Sequence, residues 1–219
     1  MSSLSVSGAL GEFISHYQKS YPILKQRFDP DWRSPCEVGE PFAIPFQGSS
    51  GAEDSNHRSG QDSAFDSGQA PGSPVQQICW QPMKRDPDSV FADFTPIEQA
   101  LEITVHADIK AYYGGYWSGG LEAEAPDGHA SLIFVWNEED IARLNENLIG
   151  HALAKRQSKS PFSVFFACTE PDSELFLSIE NETGAILLEK PGYRPVRRVA
   201  ECLTEFLETL VPAPPQDQP

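Results

Sequence analysis

An apolar run that stops at a helix start is the feature that most restricts how this chain can fold. The run LIFVW occupies residues 132–136, and the side chain of Asn137, which follows it, is suited to accept the free backbone N–H groups of a helix. Glu138, Glu139 and Asp140 fill the first turn, where the helix dipole favours negative charge. Apolar residues then recur at helical spacing from position 141 to 152. The pattern predicts a buried strand that leads directly into an amphipathic helix with an acidic N-terminus.

The remaining patterns indicate further helices and several short strands. Helices are predicted over residues 4–25, 95–113 and 199–210. Strands are predicted over residues 75–82, 121–125, 129–136, 163–168, 174–180 and 185–189. Turn residues at 126–128 and 181–184 join two pairs of these strands into hairpins. The expected fold class is α+β, with a mostly antiparallel sheet packed by helices.

Two segments lack the apolar residues needed for a core. Residues 47–74 are rich in Gly, Ser, Asp, Gln and Pro, and Phe65 is their only large apolar side chain. Burial of so little apolar surface would not offset the entropy of ordering the segment. Residues 212–219, PAPPQDQP, are similarly poor in apolar residues. We therefore predict one domain over residues 1–211, a disordered insertion at 47–74 and a disordered tail at 212–219.

The sequence contains no sign of export or of membrane insertion. No apolar run approaches the length that crosses a bilayer, and the N-terminal residues lack a basic start and a continuous apolar stretch. The four cysteines are widely spaced and form no C-x-x-C pair, which favours reduced thiols. A cytosolic protein is expected.

The negative charge is large and unevenly distributed. Thirty-two acidic residues against sixteen basic ones give a formal net charge of -16. Twelve acids but only one base, Lys110, lie between Asp86 and Ala142, and residues 111–142 contain six acids and no Lys or Arg. Such a surface repels nucleic acid and anionic lipid and attracts basic partners.

No motif in the sequence predicts catalysis, a metal or a cofactor. The five histidines lack metal-ligand spacing, and the glycines at 114–120 lack the lysine or helix start of a phosphate-binding loop. Glu122 and Glu124 alternate on the solvated face of a predicted strand and could imitate an acid–base pair. Two acids on one exposed strand are, however, more often a solvated face. We therefore predict no catalytic residue, no metal and no cofactor.

A loop dense in aromatic residues lies among these acids. Its sequence, YYGGYWSGG, covers residues 112–120 and contains Tyr116 and Trp117. Aromatic anchors surrounded by charge are typical of protein-recognition sites. The alternative is that the rings pack the loop onto the sheet, and the sequence does not separate the two possibilities.

Several stretches together resemble the Syd family of SecY-interacting proteins of Gram-negative bacteria. The similarity covers about residues 10–46 and 76–210, and 47–74 corresponds to an extra insertion. The resembling stretches are VWNEEDIARLNENLIGH, PCEVGEPF, CWQP, FTPIEQALEITVHADIKAYYGGYWSGG and AECLTEFLETL, of which ENLIGH is the most specific part. The resemblance implies a fold related to the SUKH (Smi1/Knr4) superfamily and no enzymatic activity. It also implies peripheral association with the cytoplasmic side of the inner membrane, where an acidic concave surface binds basic cytosolic loops of SecY and helps to check translocon assembly.

The charge pattern and the resemblance lead to one hypothesis about the binding surface. Cytoplasmic loops of inner-membrane proteins carry excess Lys and Arg, which an acidic surface attracts. Direct lipid insertion and nucleic-acid binding are not expected, and a monomer is favoured. The predicted partner-binding residues are Glu98, Glu102, Asp108, Glu122, Glu124, Glu138, Glu139 and Asp140, with Tyr116 and Trp117 as aromatic anchors.

Two alternatives remain open from the sequence. An immunity-type protein that neutralises a basic toxin would share both the superfamily and the acidity. An unrecognised hydrolase would use Glu122 and Glu124 as its acid and base.

Overall fold

The computed structural model describes residues 4–43, 75–86, 94–170 and 173–215. The insertion predicted at 47–74 lies outside the described residues, as do residues 216–219 of the predicted tail. Among the described residues, five helices and twelve strands form the molecule.

The first helix, α1 (Val6–Ser20), is shorter than predicted. Its stripe of buried apolar side chains runs from Val6 to Tyr17, and the hydroxyl of Ser5 accepts the backbone N–H of Gly8 at its start. The prediction extended the helix to residue 25, but Pro22 disfavours helical backbone at Tyr21, which has φ -131° and ψ 76°. Strand β1 (Leu24–Arg27) therefore begins where the prediction continued the helix.

A small sheet follows α1 in the chain. Strands β2 (Glu37–Ala43) and β3 (Gln76–Trp80) pair with β1 in the order β1-β3-β2, and both pairings are antiparallel. The prediction included β3 but neither β1 nor β2. Trp80 and Ile78 face the core from β3, so this sheet covers one side of the molecule.

The helix predicted over 95–113 is two helices with a break between them. After the two-residue strand β4 (Met83–Lys84), helix α2 (Thr95–Leu101) ends at Glu102 and helix α3 (Ala107–Tyr113) begins after His106. Glu102 adopts left-handed backbone with φ 55°, and the carboxylate of Glu98 accepts the N–H of Val105 at 2.8 Å. The break turns the chain so that β5 (Tyr116–Trp117) pairs with β4.

The main sheet has seven antiparallel strands in the order β11-β10-β9-β8-β7-β6-β12. Its strands are β6 (Leu121–Ala125), β7 (Gly128–Leu132), β8 (Ser163–Cys168), β9 (Phe176–Glu180), β10 (Ile186–Glu189), β11 (Arg197–Ala200) and β12 (Val211–Pro212). The β6–β7 and β9–β10 hairpins confirm the two predicted from turn residues.

Helices cover both faces of this sheet. The long helix α4 (Glu138–Gln157) lies on one face, where the imidazole of His151 is 6.0 Å from the rings of both Phe165 and Phe176. On the opposite face, Phe166 packs against Phe206 of α5 (Leu203–Glu208) and against Tyr112 of α3. The predicted α+β class, with a mostly antiparallel sheet packed by helices, is confirmed.

The C-terminal end differs from its prediction in two ways. Val199 belongs to β11 rather than to the last helix, which spans only Leu203–Glu208. The predicted tail also begins inside the sheet. Pro212 pairs with Ala123, and Ala213 is 4% exposed and donates its N–H to the carbonyl oxygen of Glu122 at 2.9 Å. Residues 212 and 213 are therefore part of the folded body.

Candidate protein-binding surface

The N-terminus of α4 is fixed by a reciprocal pair of hydrogen bonds. The side chain of Asn137 accepts the N–H of Asp140 at 2.9 Å, and the carboxylate of Asp140 accepts the N–H of Trp136 at 2.9 Å. This geometry confirms the predicted helix start and its cap. The strand predicted over 129–136 ends earlier, at Leu132, and beyond it Val135 forms only an isolated bridge to Trp117. Asp140 therefore has a structural use, whereas Glu138 and Glu139 in the same turn are exposed.

A cleft lies beside this helix start. It has a volume of about 300 Å³, and we call it the Gly119–Gly120 cleft. Its lining residues are Gln26, Arg27, Trp32, Ser118, Gly119, Gly120, Phe134, Trp136 and Asp140. A Cβ atom on Gly119 would lie 2.8 Å from the indole of Trp80, so the backbone approaches that ring as only glycine allows.

Trp32 lines the cleft, and the segment around it is bound to the helix start. The backbone oxygen of Trp32 accepts the indole N–H of Trp136 at 3.0 Å, and that of Arg33 accepts the side-chain amide of Asn137 at 2.9 Å. The guanidinium of Arg143 stacks over the Trp32 ring at 3.9 Å. The sequence patterns did not reveal this attachment, because its contacts join residues about a hundred positions apart.

Glu122 is the buried member of a hydrogen-bonded cluster on β6 and β7. It is 8% exposed, and its two carboxylate oxygens lie 2.7 Å from His129 Nε2 and 3.0 Å from Ser131 Oγ. The carboxylate of Glu124 is 3.5 Å from His129 Nδ1, and the Glu124 side chain is 61% exposed. The prediction that both acids lie on a solvated face is therefore wrong for Glu122.

The charge of His129 depends on these two carboxylates. Burial acts to lower the pKa of His129, but its hydrogen bonds to Glu122 and Glu124 outweigh burial, and the pKa is raised above its usual value. The sequence did contain a signal for the pairing. A two-residue turn at Pro126 and Asp127 places His129 directly opposite Glu124.

The order in which Ser131, Glu122 and His129 are hydrogen-bonded differs from the order found in a serine nucleophile and its general base. In a Ser–His–acid triad the imidazole lies between the hydroxyl and the carboxylate. Here the carboxylate of Glu122 lies between the hydroxyl of Ser131 and the imidazole of His129. The arrangement is suited to holding the carboxylate in place, so the geometry does not strengthen the hydrolase alternative.

The cleft and the carboxylate cluster are neighbours. An ideal Cβ on Gly120, which lines the cleft, would lie 3.9 Å from Ser131 Oγ. We use the name acidic surface for Glu122, Glu124, Asp140, Glu138 and Glu139. The structure brings Glu122 and Glu124 together at His129, and it places Asp140 in the lining of the cleft.

The two predicted aromatic anchors point in different directions. Trp117 is 8% exposed, stacks against the guanidinium of Arg85 at 4.0 Å and lines a groove of about 810 Å³ with Glu138. Tyr116 points towards α1, since its hydroxyl lies 3.5 Å from the position of a Cβ on Gly11. Packing, the alternative considered for these rings, accounts for most of the surface of Trp117.

Glu98, Glu102 and Asp108 belong to α2, its C-terminal end and α3, and none of them lines the cleft. Glu98 forms an ion pair with Lys110 at 2.7 Å, and this hydrogen bond lowers its pKa. The carbonyl of Leu101, the residue before Glu102, accepts a hydrogen bond from the side chain of Arg156. Arg156 lies near the C-terminal end of α4, eighteen residues after Glu138. At 1.5 Å per residue, eighteen residues of helix span about 27 Å. The eight predicted acids therefore do not form one continuous patch.

The described residues contain neither a membrane-spanning helix nor a cluster of metal ligands. No helix among them has both the length and the apolar composition needed to span a bilayer. In the same ranges, no group of three or more His, Cys, Asp or Glu side chains is placed to hold a metal ion.

Comparison with known proteins connects this architecture to a family. The family model for the Syd protein (SUKH-2) matches residues 7–212. A protein Syd of Pseudoalteromonas atlantica is 31% identical over 208 residues, which cover 95% of this chain and 94% of that protein. A protein Syd of Colwellia psychrerythraea is 30% identical over 215 residues, with 94% of each chain covered. A protein Syd of Shewanella loihica is 39% identical over 146 residues, covering 66% of this chain and 64% of that protein. The matched stretches contain the cleft, the carboxylate cluster and the helix start, and the chain belongs to the Syd family.

Proposed function

We propose that this chain is a non-enzymatic binding factor that associates with SecY at the cytoplasmic side of the inner membrane. The acidic surface would receive basic cytosolic loops of SecY, and the association would serve to monitor translocon assembly. One observation chiefly supports the placement. The carboxylates of Glu122 and Glu124 converge on His129 beside a cleft that Asp140 lines.

Preorganisation makes this surface suitable for a cationic loop. Ser131 and His129 hold the carboxylate of Glu122, so little side-chain entropy is lost when a cation approaches it. The 3.5 Å contact between Glu124 and His129 is long, and an incoming Lys or Arg can replace it. Exposed Glu138 and Glu139 add negative potential at the edge, which raises the association rate with a basic partner.

The overall charge favours attachment through a protein rather than through lipid. A net charge of -16 is repelled by an anionic leaflet, at which each basic residue gains on the order of 1 kcal/mol and each acid loses a similar amount. Basic loops of an inner-membrane protein project from the same leaflet. Peripheral localisation then follows from binding to SecY, without insertion of this chain into the bilayer.

Charge reversal at exposed positions tests the proposal without disturbing the cap of α4. The variant Glu124→Lys/Glu138→Lys/Glu139→Lys should lose co-purification with SecY from solubilised membranes, while Asp140 is left in place because it bonds Trp136. The matched control is Glu12→Lys/Glu182→Lys/Glu208→Lys, which reverses three exposed acids elsewhere. The control should retain SecY. Equal recovery with both variants would refute the placement.

The same pull-down separates the alternatives. Wild-type recovery of SecY should fall between low salt and about 0.15 M salt, where the screening length is about 8 Å. Recovery of a basic toxin in place of SecY would support the immunity-type alternative. A hydrolase activity that is lost in Glu122→Gln would support the enzyme alternative.

A further inference from the structure

A third cavity opens on the α5 side of the sheet, at the end that carries the β6–β7 turn. Its volume is about 630 Å³, within the usual range for ligand pockets. Leu177 and Leu188 from the sheet, Val199 from β11 and Phe206 from α5 form apolar walls. Because these walls belong to a sheet and a helix packed on it, the cavity is part of the rigid body of the fold.

The rim of this cavity is charged and has a negative surplus. Its ionic residues are Asp127, Glu170, Arg197, Arg198, Glu201 and Glu205. Arg197 pairs with Asp127 at 2.8 Å, and Arg198 pairs with Glu201 at 2.8 Å. Four carboxylates against two guanidinium groups therefore leave two negative charges on the rim, at Glu170 and Glu205. An apolar pocket with such a rim is complementary to an apolar side chain that is flanked by cations.

We propose that this cavity is an anchor pocket for one large aliphatic side chain carried by a basic peptide segment. The side chain would be buried against Leu177, Leu188 and Phe206, and flanking Lys or Arg residues would be drawn to Glu170 and Glu205. The inference deepens the proposed function and rests on it for the identity of the partner, since a basic SecY loop would have to supply the anchor.

The position of the cavity supports the connection. His129 lines the cavity and also contacts both carboxylates of the acidic surface. The turn at residues 126–128 lies at the rim and begins one residue after the end of β6. The carboxylates lie on the α4 face of the sheet and the cavity on the α5 face, so a segment that uses both has to pass around the β6–β7 turn.

Peptide titration of the full chain tests the pocket. The probes are two fluorescein-labelled peptides in which Lys alternates with Gly, one with Leu at its centre and one with Gly there. Burial of the leucine should make that peptide bind about tenfold tighter to the wild type. Equal affinity for the two peptides would overturn the proposal.

Variants that fill the cavity test whether the preference for the leucine peptide arises there. Ala200→Trp and, separately, Thr209→Trp each place an indole among the lining residues and should abolish the preference for leucine. Ala100→Trp adds the same ring at an exposed position of α2 and should leave the preference unchanged. Two fillers on different elements guard against one that fails to fold, which circular dichroism would reveal. A preference that survives in a folded filler variant would also overturn the proposal.

A charge-neutralising substitution at the rim distinguishes the contribution of the rim to peptide affinity from that of the apolar walls. Glu205→Gln should weaken both peptides equally, by about twofold to threefold, because a screened surface charge contributes little. Glu208→Gln, on the same helix but outside the lining, is the matched control and should weaken neither peptide. If the wild type recovers SecY but shows no preference for the leucine peptide, the pocket alone is rejected. If the wild type prefers the leucine peptide but does not recover SecY, SecY is rejected as the partner of the pocket.

Discussion

The Nε2 atom of His129 lies 2.7 Å from Oε2 of Glu122, across the hairpin that joins β6 to β7. His129 also contacts Glu124, so one imidazole is shared by the two carboxylates that strand alternation predicts on one face. Glu122 and Glu124 carry two negative charges beside a neutral imidazole and a net charge of minus one beside a protonated imidazole. Protonation of His129 therefore changes the charge of the acidic surface by one.

The first prediction concerns the pH dependence of stability at His129. The folded-state pKa is raised, so the stabilisation by protonated His129 is complete below the unfolded value of about 6.5 and is lost as pH rises through the folded pKa. His129→Gln should lower the free energy of unfolding by about 1 kcal/mol at pH 5.5 and by less at pH 8. Urea unfolding of both proteins at the two pH values measures the difference. A loss that is equal at both would contradict the assignment.

The second prediction concerns His151, whose pKa shifts in the opposite direction. Burial between Phe165 and Phe176 lowers its pKa, the charge of Lys155 lowers it further, and Glu189 partly opposes both. Because the pKa is lowered in the folded state, neutral His151 stabilises the fold above pH 6.5. This stabilisation is lost as pH falls, because the unfolded chain binds the proton more readily. His151→Phe should remove this acid-induced loss. An unchanged slope of stability between pH 7 and pH 5 would show that another group is responsible.

The sequence predicted most elements of the fold because their signals are local. The helix start at Asn137 and the two hairpins depend on residues a few positions apart, and the structure confirms them. The break between α2 and α3 has a different origin. Glu102 occupies a left-handed conformation that is unfavourable without glycine, and distant Asn181 accepts the N–H of His106 at 2.9 Å. The periodicity of apolar residues along the sequence does not reveal such a contact between distant residues.

The acidic surface was only partly predictable for the same reason. Strand alternation correctly places Glu122 and Glu124 on one face, but burial of Glu122 depends on Ser131 and His129 from the next strand. Charge counting grouped Glu98 with these acids because residues 86–142 contain a single base, Lys110, but in the structure that base pairs with Glu98. Charge counting along the chain reports local composition, whereas a binding surface depends on the packing of distant residues.

The third prediction tests the close approach at the cleft. Gly119→Ala should destabilise the protein by about 1–3 kcal/mol, because its Cβ would lie 2.8 Å and 2.9 Å from two atoms of the Trp80 ring. Trp80 cannot move freely, since its ring packs edge-on against Trp136 at 5.6 Å. Thermal and urea unfolding provide the measurement. The control is Gly150→Ala in α4, where a Cβ meets no atom within 4 Å and should add about 0.5–1 kcal/mol of stability.

The fourth prediction concerns the buried pair of Lys155 and Glu189 beneath α4. Glu189 is 0% exposed, and its carboxylate accepts hydrogen bonds from Lys155, Ser163 and Ser178. Burial acts to raise its pKa, but these bonds outweigh burial and lower it. Lys155→Met should cost about 3–5 kcal/mol, because it leaves a buried carboxylate without its cation.

A double mutant distinguishes the charge interaction between Lys155 and Glu189 from packing of the lysine side chain. Lys155→Met/Glu189→Gln should recover most of that loss, since the amide is neutral and can still bond Ser163 and Ser178. The loss in Lys155→Met alone should also shrink between pH 7 and pH 4.5, because an unpaired carboxyl can take up a proton as the pH falls. Urea unfolding at both pH values measures the coupling. If the two substitutions are simply additive and their cost is independent of pH, Lys155 stabilises α4 through its aliphatic stem rather than through its charge.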